Sequence, residues 1–149
     1  MNPTYFIDTS ALTKLYVQEA GTGWMQQIAA SCSSSQLYVS LLARVEMASA
    51  VARRQRTGSL TNHESQQVIA NFDADWNVRF TIVALDDKII ERAYDLVLTY
   101  GLRAYDAVHL SAALTLRDWF ALLGERAPTF LSAGRALAAS CTAGRAKRG

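Results

Sequence analysis

The chain has 149 residues, half of them hydrophobic and 19% charged, enough apolar material for one core and too much for an intrinsically disordered protein. Lys and Arg number 15 against 13 Asp and Glu, so the net charge of +2 does not single out a polyanionic partner, and any nucleic-acid contact must come from local clusters. Cys32 and Cys141 stand far apart without a Cys-x-x-Cys or Cys/His pattern, which argues against a zinc site or a disulfide framework. The first residues reach Asp8 too soon for a secretory signal and no apolar run is long enough to span a bilayer, so a soluble, cytoplasmic protein is expected.

In chain order, Tyr5-Phe6-Ile7 reads as a short strand that stops at Asp8, after which Ser10 offers an N-cap for a helix from Ala11 to Val17. A Gly-Thr-Gly break at Gly21 to Gly23 precedes a short helical stretch, and the polar run Ser31 to Gln36 leads into a second strand, Leu37-Tyr38-Val39. Ser40 caps a long helix through Leu41 to Arg56, in which Leu41, Leu42, Val45, Ala48 and Ala52 recur at helical spacing and Gly58 is the stop. Thr61 to Glu64 matches a capping box opening a helix to about Trp76.

Phe80 to Val83 is the third strand candidate; Asp86 then caps a helix from Lys88 to Thr99 that ends at Gly101. A helix from about Ala104 to Leu116 follows, then a fourth strand at Thr129-Phe130-Leu131, and Arg135 to Ala139 is expected to make the last helical turns. One domain is expected over residues 1–140, with a basic, loose tail over 141–149. Strands alternating with helices predict an α/β fold, a short parallel sheet of about four strands with helices on both faces. Ligands of such sheets gather at the carboxyl ends of the strands.

Three acids draw notice in that frame. Asp8 ends the first strand, Glu46 lies on the helix after the second strand in an apolar setting beside Val45 and Met47, and Asp106 falls in the first turn of its helix, where amide dipoles favour an anion. Carboxylates gathered in one cleft repel one another unless a divalent cation lies between them, and oxygen-only ligation selects Mg²⁺ or Mn²⁺. Each acid also has an ordinary reading: Asp8 as a cap, Asp106 as a complement to the helix dipole, and Glu46 as a solvated helix position. Periodicity alone does not decide between them.

The local contexts do. Tyr5-Phe6-Ile7-Asp8-Thr9-Ser10-Ala11-Leu12, Arg44-Val45-Glu46-Met47-Ala48-Ser49-Ala50 and Leu102-Arg103-Ala104-Tyr105-Asp106-Ala107-Val108-His109-Leu110 together resemble PIN domains, most closely the VapC-like ribonuclease toxins of bacterial toxin–antitoxin pairs, in the family's order and over nearly the whole chain. The resemblance implies a PIN-like three-layer fold and a metal-dependent endoribonuclease in which Asp8, Glu46 and Asp106 are the acidic metal-binding positions. Thr9 or Ser10 matches the hydroxyl beside the first acid. The resemblance also implies a VapB-like antitoxin covering the cleft and a homodimer formed through the early helices. One departure stands out: Gly134, in Thr129 to Leu137, occupies a position where the family has an aspartate. Loss of that acid is expected to weaken metal binding, and a protein that binds antitoxin and RNA without efficient cleavage is the alternative reading.

Arg44, Arg53, Arg54 and Arg56 form the densest basic stretch, on the helix that carries Glu46, and are candidates for RNA phosphates or for complementing a helix end. Arg103 and Arg135 flank the motif acids and are the likelier phosphate contacts by position; Tyr105 is a candidate for stacking on a base or for packing. Trp24, Trp76 and Trp119 are expected in the core or at a subunit interface, and His109, three residues after Asp106 without a second His at ligand spacing, reads as structural. A phosphatase-like hydrolase would also use carboxylate-bound Mg²⁺, but Asp8-Thr9-Ser10 lacks the second acid of its DxDx(T/V) motif.

Overall fold

A computed structural model describes residues 2–133 and the backbone of residues 135–138. Gly134 and the expected tail, with Cys141, lie outside the described residues. The elements are β1 (Tyr5–Ile7), α1 (Thr9–Thr13), α2 (Thr22–Ala30), a 3₁₀ turn at Ser34–Gln36, β2 (Leu37–Ser40), α3 (Ala43–Arg56), α4 (Asn62–Arg79), β3 (Thr81–Val83), α5 (Asp87–Tyr100), α6 (Ala104–Leu122), β4 (Thr129–Ser132) and β5 (Arg135–Ala138). The sheet order is β3-β2-β1-β4-β5, with β1 to β4 parallel and β5 antiparallel to β4.

The alternation of the short strands builds the three layers. Ile7, Leu37, Val39 and Leu131 point to one face and pack with Leu12, Met25, Met47, Phe72 and Trp76 of α1 to α4. Phe6, Tyr38 and Phe130 occupy one register row on the opposite face, where they meet Ile89, Leu116 and Phe120 of α5 and α6. Phe6 stacks on Phe130 with centroids 5.6 Å apart, and Tyr38 meets Phe120 edge-on at 5.9 Å. Strands buried on both faces explain why the sequence shows apolar runs here rather than alternation with polar residues.

Helix ends follow local chemistry. The Thr61 hydroxyl accepts from the Glu64 amide and Asp86 accepts from the Ile89 amide, while Gly101 closes α5 in the left-handed region at φ 67°, which a side chain would strain. Three expectations fail. Ser40 is not the N-cap of α3, which opens after Leu42 with no side-chain cap, the Ser40 hydroxyl accepting the Leu42 amide in the turn before it. Asp8, not Ser10, is the N-cap of α1, which is only one turn long, because the chain turns directly out of β1 and Asp8 Oδ1 already lies 3.0 Å from the Ala11 amide. The segment 135–138 is a strand rather than helical turns: it folds back on the otherwise open edge of β4, whose backbone groups need partners, and that pairing overrides the helix preference of an Ala- and Leu-rich stretch.

Helix α6 fixes the orientation of the whole layer. Its far end lies at the start of the strands, where Phe120 and Leu123 line a cleft with Thr4 and Thr129, so its first turns stand at the strands' carboxyl edge. Inside this layer the buried Ser111 hydroxyl donates to the Ile89 carbonyl at 2.6 Å, tying α6 to the start of α5. No helix among the described residues is long and apolar enough to cross a membrane. Of the tryptophans, Trp76 is buried as expected, whereas Trp24 and Trp119 are exposed.

Phe6 is 1% exposed and touches both the sheet row and α6. Phe6→Ala is expected to lower the unfolding free energy by about 3–5 kcal/mol, read by urea denaturation. A loss below about 1 kcal/mol would contradict the packing described.

Candidate active site at the carboxyl edge of the sheet

Strand β1 has β2 on one side and β4 on the other, so the chain leaves its carboxyl end toward β2 while the chain's last parallel strand arrives on the opposite flank. This is the switch point at which an open α/β sheet leaves a crevice. Asp8 stands on it: its amide donates to the Leu131 carbonyl at 3.0 Å, extending the β1–β4 ladder by one bond, and its side chain turns up into the N-terminus of α1. Oδ1 accepts from the Ala11 amide at 3.0 Å and from the Ser10 hydroxyl at 2.6 Å. Oδ2 has no partner among the described residues.

Ser10 does more than accompany Asp8. Its hydroxyl accepts from the Ala133 amide at 2.9 Å and lies 3.4 Å from the Ser132 hydroxyl, so it pins the turn after β4 to the first acid. Thr9, nearly buried, turns the other way and donates to Glu46 Oε1 at 3.0 Å. Glu46 lies in the first turn of α3, which starts at the same edge because the Ser40 hydroxyl accepts the Leu42 amide at 3.1 Å and turns the chain straight from β2 into the helix.

Glu46 Oε1 also accepts from Nε2 of His109, which lies 3.3 Å from the Thr9 hydroxyl. This one contact joins α1, α3 and α6. It brings Asp8, next to Thr9, and Asp106, one turn before His109, to the same edge of the sheet. Asp106 is exposed and makes no hydrogen bond or ion pair with any described residue; Arg103, the residue before α6 begins, is exposed beside it.

The two acids at this edge without a full set of partners, Asp8 and Asp106, offer hard oxygen donors, which suit Mg²⁺ or Mn²⁺. Among the described residues, however, no three His, Cys, Asp or Glu side chains stand close enough to enclose an ion. The three acids therefore are not packed against one another, and Glu46 is engaged by Thr9 and His109. Mg²⁺ fits such a place nonetheless, since it keeps several waters and binds through one or two carboxylates plus substrate phosphate rather than in an all-protein cage. The carboxylates available for that are those of Asp8 and Asp106.

The basic candidates divide. Arg44 lies 5.6 Å from the ring centroids of both Phe72 and Trp76 and is ion-paired with Asp73, so it fastens α3 to α4. Arg54 is tied to Glu19 at 3.1 Å, whereas Arg53 and Arg56 are exposed. Tyr105 is exposed next to Asp106. The side chain of Arg135 and all of Gly134 fall outside the described residues. His109, expected to be structural, is buried as such a residue would be, and its partner Glu46, 63 positions away, is what the sequence did not reveal.

The PIN domain family profile matches residues 5–120. Two curated relatives from Mycobacterium tuberculosis, ribonuclease VapC45 of strain CDC 1551 and ribonuclease VapC49 of strain H37Rv, are each 30% identical to the chain over 119 residues, which cover 78% of this chain and 78% of theirs. The chain belongs to the PIN-domain family and, within it, to the VapC-type ribonucleases. Among solved structures, VapC20 of M. tuberculosis, described as a toxin that cleaves the sarcin-ricin loop, superposes with a TM-score of 0.59 at 14% identity, covering 83% of this chain and 85% of its own. A toxin–antitoxin complex from Klebsiella pneumoniae gives a TM-score of 0.51 at 20% identity over 75% of this chain and 79% of the other. These likenesses establish the shared fold.

The double use of Asp8 makes its two roles separable. Asn caps a helix as well as Asp, so Asp8→Asn is expected to leave stability within about 0.5 kcal/mol of the parent, while Asp8→Ala loses the cap and about 1 kcal/mol. Chemical denaturation of the two variants checks this; equal losses would show that charge rather than capping is what Asp8 contributes to the fold.

Proposed function

We propose that this chain is the toxin of a toxin–antitoxin pair, an Mg²⁺- or Mn²⁺-dependent endoribonuclease that hydrolyses RNA phosphodiester bonds from the edge of the sheet where Asp8 and Asp106 stand. The observation that carries the reading is the position of Asp8 in a chain of the VapC type: it stands at the switch point of the sheet with one oxygen held by α1 and the other open. The named relatives are ribonucleases, and one structural neighbour is described as an RNA-loop-cleaving toxin.

A bound cation would supply charge neutralisation at the scissile phosphate and a water of lowered pKa. Asp8 and Asp106 would hold it. Ser10, donating to Asp8 Oδ1, helps keep that carboxylate in one rotamer and leaves Oδ2 without a partner among the described residues. The first turn of α6 offers its amide dipoles beside Asp106, and exposed Arg103 is placed to pair with a substrate phosphate. Either open carboxylate is chemically able to accept the proton of the attacking water, and hydrolysis is expected to leave a 5′-phosphate. A VapB-like antitoxin partner and a homodimer are part of the same reading; the Klebsiella neighbour is itself a toxin–antitoxin complex.

The test is cleavage of RNA by the purified protein in the presence and absence of Mg²⁺ or Mn²⁺. Activity is expected to require the cation and to fall by about 10–100-fold or more in Asp8→Asn, a variant that keeps its fold. Cleavage that survives chelation, or an Asp8→Asn protein as active as the parent, would overturn the proposal.

A further inference from the structure

His109 is 3% exposed and its Nδ1 is buried with no hydrogen-bond partner among the described residues, while Nε2 touches both Glu46 Oε1 and the Thr9 hydroxyl. A buried imidazole is least costly when its proton is placed where an acceptor waits and its bare nitrogen where none is needed. The one charged acceptor it meets among the described residues is Glu46, so the proton belongs on Nε2, and the orphaned Nδ1 is the lone-pair nitrogen rather than a stranded N–H. Thr9 then accepts part of that N–H and directs its own hydroxyl proton to the same carboxylate oxygen. Two donors on one oxygen, one from α1 and one from α6, fix the rotamer of a side chain that is itself 23% exposed at the mouth of the site.

We propose that His109 is a positioning residue for the metal site: its Nε2–H, with Thr9, clamps Glu46 Oε1 and so leaves Oε2 as the one oxygen Glu46 presents to the waters of a cation held by Asp8 and Asp106. This rests on the nuclease reading above and adds to it a named device that acts through Glu46 and touches neither metal nor RNA. The relevant loss on removing such a supporting group is about 10–100-fold in metal affinity. It also explains why a histidine stands on the apolar side of α6, where the neighbouring Ala107, Ala112 and Ala113 are small and buried.

The pair His109→Gln and His109→Asn tests it. Glutamine carries an amide N–H near the position of Nε2, whereas asparagine carries one near Nδ1, away from Glu46, and both are neutral and polar. Mn²⁺ binding by the whole protein, followed by the loss of the free-ion electron paramagnetic resonance signal, is expected to stay near the parent value in His109→Gln and to weaken by about 10–100-fold in His109→Asn, with similar thermal unfolding midpoints for both. Thr9→Val, which removes the second donor to the same oxygen at constant size, is expected to weaken binding as well, and it carries the comparison should His109→Asn not fold. Equal Mn²⁺ affinity in folded His109→Gln and His109→Asn, or an undiminished affinity in Thr9→Val, overturns the inference. A parent protein that binds no Mn²⁺ and cuts no RNA overturns the nuclease reading itself.

Discussion

The placement of β1 between β2 and β4 is the constraint from which the rest of the molecule follows. Three residues, Tyr5 to Ile7, carry two parallel ladders at once, and the amide of Asp8 adds the last bond of one of them. The rows Phe6-Tyr38-Phe130 and Ile7-Val39-Leu131 then bury the sheet on both faces, so the register cannot slip by one residue without exchanging the contents of the two cores. The end of β1 is thereby fixed, and a carboxylate immediately after it is held at the crevice by the fold itself.

The acids around that crevice stand in different surroundings. Asp8 is half committed, with one oxygen given to α1 and Ser10; Asp106 is exposed and unengaged; Glu46 is held by two donors from separate helices. Such an arrangement does not depend on a cation for its fold, because Glu46 and Asp8 accept hydrogen bonds from neighbouring helices and Asp106 is solvated. The polar turn after β4, tied to Asp8 through Ser10, belongs to the same edge.

Much of this was legible in the residues. Element order, the caps at Thr61 and Asp86, the stop at Gly101 and the strand-end location of Asp8 follow from local chemistry, and the three motif segments pointed to the family that the profile match and the relatives bear out. What the chain did not reveal are facts of assembly. Ser10 and Asp8 both offered a cap for α1, and only the placed backbone decides for Asp8, whose Oδ1 lies 3.0 Å from the Ala11 amide. Residues 135–138 have a helical composition and become a strand because β4 has an edge to cover. Arg44 looked free for phosphate until Phe72, Asp73 and Trp76 of α4 were placed around it. The contact of His109 with Glu46 has a separation of 63 residues, which no periodicity encodes.

The chemistry of this edge depends on where a divalent cation sits. Crystals of the protein soaked in Mn²⁺ and measured for anomalous scattering should show a peak about 2 Å from carboxylate oxygens of Asp8 and Asp106, at the carboxyl edge of β1. A peak on other residues, or none at saturating Mn²⁺, would contradict it.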